Sequence, residues 1–211
     1  MSKTTASLLA AAGLLLSGTV SAADSCERYA DTLAVIASTD QAMRQRLDSR
    51  HSDTPENRQR LEQMLLVDRV NTERLKDLVG RCGWPDKARH GARAVHHAWL
   101  VVQHAMHDIA FQKQVLGLIE ARGEGVTGEF VSLDDRIAVA EKRPQRYGTQ
   151  LFAPGSNHCA LEFEPFDDRD KVEARRARLK MPPLEEYRRM VLKVQNCPEP
   201  SGSEHADPTP R

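Results

Sequence analysis

Aromatic residues are scarce in this chain, with 2 Trp, 3 Tyr and 5 Phe among 211 residues. A core with so few rings has to be filled mostly by Leu, Val, Ile, Ala and Met. Excess charge of either sign is also missing, since 30 basic residues face 30 acidic ones. Nucleic acid as a main partner calls for a strongly basic face, so this balance argues against it. The sequence contains no Walker loop, G-x-S-x-G, H-E-x-x-H or dinucleotide fingerprint. Ser and Cys nucleophiles therefore have no supporting context. The four cysteines show no C-x-x-C spacing, which disfavours a metal site or a reactive thiol.

Long apolar runs are absent after the first twenty residues. Leu8 to Leu16 (LLAAAGLLL) follows Lys3 and precedes Val20-Ser21-Ala22. This is the pattern of a secretory signal peptide over residues 1–22, and its apolar part is short for a bilayer span. Cleavage there removes Lys3 and no acid, turning the balanced charge into −1. The expected product is periplasmic or secreted, with no membrane anchor after signal cleavage. Residues 23–197 suit one domain. Residues 198–211 (PEPSGSEHADPTPR) have the composition of a disordered tail.

In an exported chain an even cysteine count favours disulfides. Cys26, Cys82, Cys159 and Cys197 allow three pairings. The preferred one joins Cys26 to Cys82 across the open ends of a helical hairpin. It also joins Cys159 to Cys197, tying the C-terminal segment to the preceding loop.

The periodicity predicts a mainly α fold, a single helical domain with a small β-hairpin near residues 149–164. Tyr29, Leu33, Ile36, Met43 and Leu47 form the first helical stripe. Thr54-Pro55 opens a second helix that stops at Gly80. A third helix runs from about Gly91 to His107, and Asp108 caps a fourth. Phe130, Leu133, Ile137 and Ala140 mark a fifth. Asp168 to Leu179 and Leu184 to Val194 supply the last two, separated by Met181-Pro182-Pro183.

Two polar clusters stand out from this apolar framework. Gln103-His104 with Asp108 lies in and after the third helix. Asp134-Asp135-Arg136 leads into Arg143-Pro144-Gln145-Arg146-Tyr147-Gly148-Thr149-Gln150. A carboxylate one turn after His104 is placed to orient an imidazole as a general base, although Asp108 can equally serve as a helix cap. Arg136 can present its fork to a carboxylate or phosphate. Tyr147, Thr149 and Gln150 offer neutral donors and acceptors, and Gly148 permits close backbone approach. The bland alternative for this stretch is a well-bonded turn that locks the fifth helix to the hairpin. Asp68 and Asn71 on the second helix either face the same centre or face water. His107-Asp108, with His96 or His97 before it and Asp134 or Asp135 after it, invites comparison with metal-dependent HD-type phosphohydrolases. The interval is short for that family, and no metal ligands are assigned.

Taken together, Gly83-Trp84-Pro85, Trp99 with Gln103-His104, Asp108, Phe111-Gln112, Asp135-Arg136 and Arg143 through Gln150 resemble an uncharacterised bacterial family. It is known only as a domain of unknown function, number 6624. Glu173 to Arg176 and Pro182-Pro183-Leu184-Glu185-Glu186-Tyr187 extend the likeness, which covers roughly residues 65–188. The resemblance implies a mostly helical domain and supplies no activity. His96, His97 and His107 fall outside its pattern, which weakens the metal comparison.

The leading expectation is a site for a small polar or anionic ligand, such as a peptide or cell-envelope fragment. Gln103, Asp135, Tyr147, Gly148, Thr149, Gln150, Asp68 and Asn71 are its candidate contacts. The alternative is a hydrolase or lyase in which His104 is the base, Asp108 its orienting partner and Arg136 the group that stabilises negative charge. A third expectation is a protein partner, as for an inhibitor of a toxin. That role calls for an exposed apolar patch or a long charged surface, and for a buried Tyr-Gly-Thr-Gln turn satisfied within the fold. No residue identifies a cofactor.

Overall fold

The computed structural model describes residues 26–48, 54–123, 127–155 and 157–198. The proposed signal peptide and almost all of the proposed tail lie outside these residues. The fold is mainly α. Eight helices and one two-stranded antiparallel sheet are present among the described residues. No helix among the described residues is long and apolar enough to cross a membrane.

Helix α1 (Tyr29–Arg44) and helix α2 (Pro55–Cys82) form the hairpin expected from the first two stripes. Thr54 caps α2 by accepting from Asn57 N at 3.2 Å, with Pro55 in its first turn. The helix runs through Gly80 to Cys82, two residues beyond the sequence expectation. It stops where Gly83 takes φ 76° and its N–H bonds Val79 O at 2.9 Å. A disulfide between Cys26 and Cys82 closes the open end of the hairpin, and the Tyr29 hydroxyl donates to Gly83 O at 2.7 Å beside it.

A one-turn helix, α3 (Lys87–His90), precedes α4 (Ala92–His104). Helix α4 ends at His104, whereas the periodicity alone carried it to His107. The reason lies in Asp108, whose side chain accepts from Phe111 N at 2.9 Å and caps α5 (Ile109–Ala121). A capping residue needs non-helical dihedrals, here φ −134° and ψ 73°, so α4 must break first. Helix α6 (Gly128–Ala140) is capped by Thr127.

Helix α4 sits at the centre, packed on α1, α2, α5 and α6. Tyr29, Leu33, Ile36, Leu75, Ala98, Val102, Phe111, Val115, Leu133 and Ile137 meet there in one apolar core. Along α2, Leu61, Leu65, Leu66 and Val70 are exposed.

After α6 the chain forms strands β1 (Leu151–Phe152) and β2 (Glu162–Phe163), with Leu151 opposite Phe163. The hairpin is thus real but only two residues deep. Helices α7 (Arg169–Arg178) and α8 (Leu184–Val194) follow. The second disulfide joins Cys159 to Cys197.

Candidate functional site

The Arg-Pro-Gln-x-Tyr-Gly-Thr-Gln segment is tied from both sides by buried charge. Asp135 on α6 has no exposed surface, and its carboxylate accepts four hydrogen bonds. Oδ1 takes the N–H of Arg146 (2.7 Å) and of Tyr147 (3.0 Å); Oδ2 takes the N–H and the hydroxyl of Thr149 (both 2.9 Å). Burial raises the Asp135 carboxyl above its ordinary range, and these donors oppose that shift. On the other side of the turn stands Arg176, also fully buried. Its Nη1 donates to Tyr147 O (2.6 Å) and Gly148 O (3.3 Å), and its Nε donates to Pro182 O (2.8 Å). The Tyr187 ring lies 4.9 Å from this guanidinium, and the Tyr187 hydroxyl donates to Thr149 O at 3.0 Å. Gly148 takes φ 65°, and a Cβ there would meet Leu184 Cδ2 at 2.5 Å.

This geometry revises the expected roles. Asp135 and Thr149 belong to an internal knot, because their side chains are bonded within the fold, and the backbone of Tyr147 and Gly148 is held in it. Gln145 completes it. Its Nε2 donates to Gln150 O and Glu164 O, and its Oε1 accepts from Gln150 N, so one side chain bridges the two sides of the hairpin.

Arg136 is placed differently. Its Nε donates to Gln103 Oε1 at 3.0 Å, and the Ser132 hydroxyl donates to the same oxygen at 3.2 Å. The third expected helix therefore does meet the fifth. No carboxylate pairs with Arg136 among the described residues, and its two Nη groups are unused. Burial holds its pKa below the ordinary arginine value, and nearby Arg44 acts in the same direction. A half-buried cation with no anion bonded to it is unfavourable. Arg136, Gln150 and Glu164 line a cavity of about 240 Å³ whose other walls include Met106, Ile109, Val139 and Leu151.

Gln103 lies behind Arg136 and holds it from the protein side. Its Nε2 is buried and has no hydrogen-bond partner among the described residues.

His104 has a carboxylate beside it, but the residue is Asp40 and not Asp108. His104 Nδ1 lies 2.9 Å and 3.0 Å from the two Asp40 oxygens. Since a carboxylate only accepts, Nδ1 must carry a proton, and Nε2 is left without a partner among the described residues. Asp108 instead pairs with Lys76 at 2.9 Å and caps α5, and both contacts lower its pKa. Arg44 links Asp40 to Asp68, with Nη1 on Asp40 Oδ1 (3.0 Å) and Nη2 on both Asp68 oxygens (2.9 Å each). Burial pushes the Asp68 carboxyl up, and the Arg44 bonds pull against that shift. Asn71, by contrast, donates to Ile36 O at 3.4 Å and fastens α2 to α1.

Asp40, Asp68 and His104 offer three ligand atoms within 4.8 Å of one another. The Arg44 guanidinium already bridges the two carboxylates and does the work of a cation there. His158, Cys159 and Cys197 form a second such group, but both sulfurs are spent in the disulfide. His107 is exposed, and His96 pairs loosely with Glu129 at 3.7 Å. The histidines of the HD-type comparison therefore do not gather around Asp134 or Asp135.

Sequence reasoning missed Asp40, Arg44, Glu164 and the anchoring role of Arg176. A signal for Asp40 was present, because it continues the buried stripe Leu33, Ile36, Ala37 at helical spacing. A charged residue at such a position needs a partner. The model of a family of unknown function, DUF6624, matches residues 28–196. No curated protein and no solved structure matches the chain.

Proposed function

The chain belongs to the DUF6624 family, whose function is unknown, and we propose that it is an exported protein that binds a small anionic ligand against Arg136. One observation carries this reading. Arg136 lines a cavity of about 240 Å³ with both Nη groups unbonded, and no protein carboxylate is hydrogen-bonded to it among the described residues. An arginine fork suits a carboxylate, which accepts two parallel bonds from it. The small volume and the apolar walls favour a compact ligand with an aliphatic part. Export is supported by the signal-like pattern of residues 1–22 and by two disulfides, Cys26–Cys82 and Cys159–Cys197. A periplasmic or secreted location is part of the same proposal.

A thermal-shift titration with 4-methylpentanoate tests the proposal. The wild-type midpoint should rise saturably. Arg136→Gln should abolish the rise, and Arg136→Lys, which keeps the charge but loses the fork, should weaken it. A rise that survives Arg136→Gln would contradict the assignment.

His104 supports a second, catalytic reading. A proton fixed on Nδ1 by Asp40 leaves Nε2 as a base, as hydrolysis requires. If His104 is that base, Asp40→Asn and His104→Ala should each remove any hydrolytic turnover while leaving 4-methylpentanoate binding in place. The exposed Leu61, Leu65, Leu66 and Val70 favour the protein-partner alternative. Polar substitutions at Leu65 and Leu66 would abolish capture of such a partner and spare the cavity.

A further inference from the structure

The cavity beside Arg136 contains a second unused charge. Glu164 lines it and directly follows β2. Its backbone is committed, since the N–H donates to Gln150 O at 3.1 Å and the carbonyl accepts from Gln145 Nε2 at 2.8 Å. These two bonds hold the residue in place at the cavity wall. Its carboxylate has no hydrogen bond or ion pair among the described residues, not even with Arg136 across the same cavity. A cation and an anion thus share one small space without closing on each other.

Gln150 adds a third group. Its Nε2 donates to Ser132 O at 3.2 Å and to Thr149 Oγ1 at 3.0 Å. Those two bonds fix which end of the amide is which, so Oε1 is the acceptor left over. The cavity therefore presents a cationic fork, an anionic carboxylate and a neutral acceptor. Ile109, Val139 and Leu151 line the same cavity. A simple carboxylate would use the fork and leave Glu164 desolvated and unpaired, which is unfavourable. A simple amine would leave Arg136 in the same position. A ligand carrying both charges satisfies both groups, and an ammonium has hydrogens for Glu164 and Gln150 together.

We propose that the ligand is a zwitterionic amino acid with a compact aliphatic side chain. Its carboxylate sits on Arg136, its ammonium on Glu164 with Gln150 Oε1 as second acceptor, and its side chain lies against Ile109, Val139 and Leu151. The inference rests on the anion-binding reading of Arg136 and adds Glu164 as the residue that selects for the amino group.

Calorimetric titration of the mature protein with three probes separates the two ideas. Leucine carries both charges, 4-methylpentanoate is its skeleton without the amino group, and leucinamide lacks the carboxylate. Leucine should bind at least tenfold more tightly than 4-methylpentanoate, and leucinamide should not bind. Glu164→Gln should bring leucine and 4-methylpentanoate to within about threefold of each other, with Glu164→Asp intermediate. Circular dichroism and the melting midpoint report whether each variant is folded. If 4-methylpentanoate binds wild type as tightly as leucine, or if Glu164→Gln leaves their ratio unchanged, the amino-acid inference is overturned while the anion site stands. If neither carboxylate binds wild type, the reading of Arg136 fails and this inference falls with it.

Discussion

Arg176 is fully buried and Arg136 half-buried, and they meet the cost of burial in different ways. Arg176 gives the hydrogens of Nε and Nη1 to three backbone carbonyls and lies against the Tyr187 ring, with Nη2 alone buried and unbonded among the described residues. Arg136 commits only Nε, to Gln103. The first pattern is that of a structural group and the second that of a group awaiting a ligand. Asp134, beside the knot, shows the cost of burial without a full set of partners. Its Oδ2 is buried with no hydrogen bond among the described residues, and Arg146 comes no nearer than 3.9 Å. Burial raises its pKa. A folded-state pKa above the unfolded one makes the residue's contribution most favourable below the unfolded value, and the benefit is lost as pH rises through the folded one. Asp134→Asn removes the charge at every pH. It should therefore stabilise the protein by about 1 kcal/mol at pH 7, and the gain should fade as pH falls into the ordinary Asp range. Urea unfolding at both pH values checks this, and a gain independent of pH would contradict it.

At the scale of elements, caps and stripes were legible because they are local. Thr54-Pro55 and Asp108 mark helix starts by chemistry that acts within four residues. The break of α4 at His104 was missed because the apolar pattern continues through Ala105 and Met106 up to the cap at Asp108. The long-range pairings were not legible. Asp135 and the turn at residues 146–149 were both conspicuous, yet nothing in their spacing says that the carboxylate faces inward to that turn. Likewise Asp108 lies nearer His104 in sequence, while Asp40, 64 residues away, holds it in space. The knot also makes a sharp prediction. Gly148→Ala combines a left-handed backbone with a collision against Leu184, and should cost about 2–4 kcal/mol. Because the two effects share Leu184, adding Leu184→Ala should cost less than the sum of the single changes. A strictly additive double-mutant cycle would show that the close approach does not matter.

For the whole molecule, the two disulfides span 56 and 38 residues, and each ties an end of the described fold to its interior. Removing Cys26–Cys82 by double Ala substitution should cost about 4 kcal/mol from loop-closure entropy, read by denaturant unfolding; a loss under 1 kcal/mol would count against it. Export predicts a mature chain beginning at Ala23. Intact mass of protein recovered from a bacterial periplasm should show that start, with no thiol reactive to maleimide before reduction; a retained N-terminus with free thiols would argue for a cytoplasmic protein. The central claim concerns one guanidinium, and the side-chain Nε–H resonances of arginine report on it directly. Titrating 4-methylpentanoate into labelled protein should move the Arg136 Nε–H signal saturably while that of Arg176, sealed in the knot, stays fixed. A stationary Arg136 signal at saturating ligand would contradict the account.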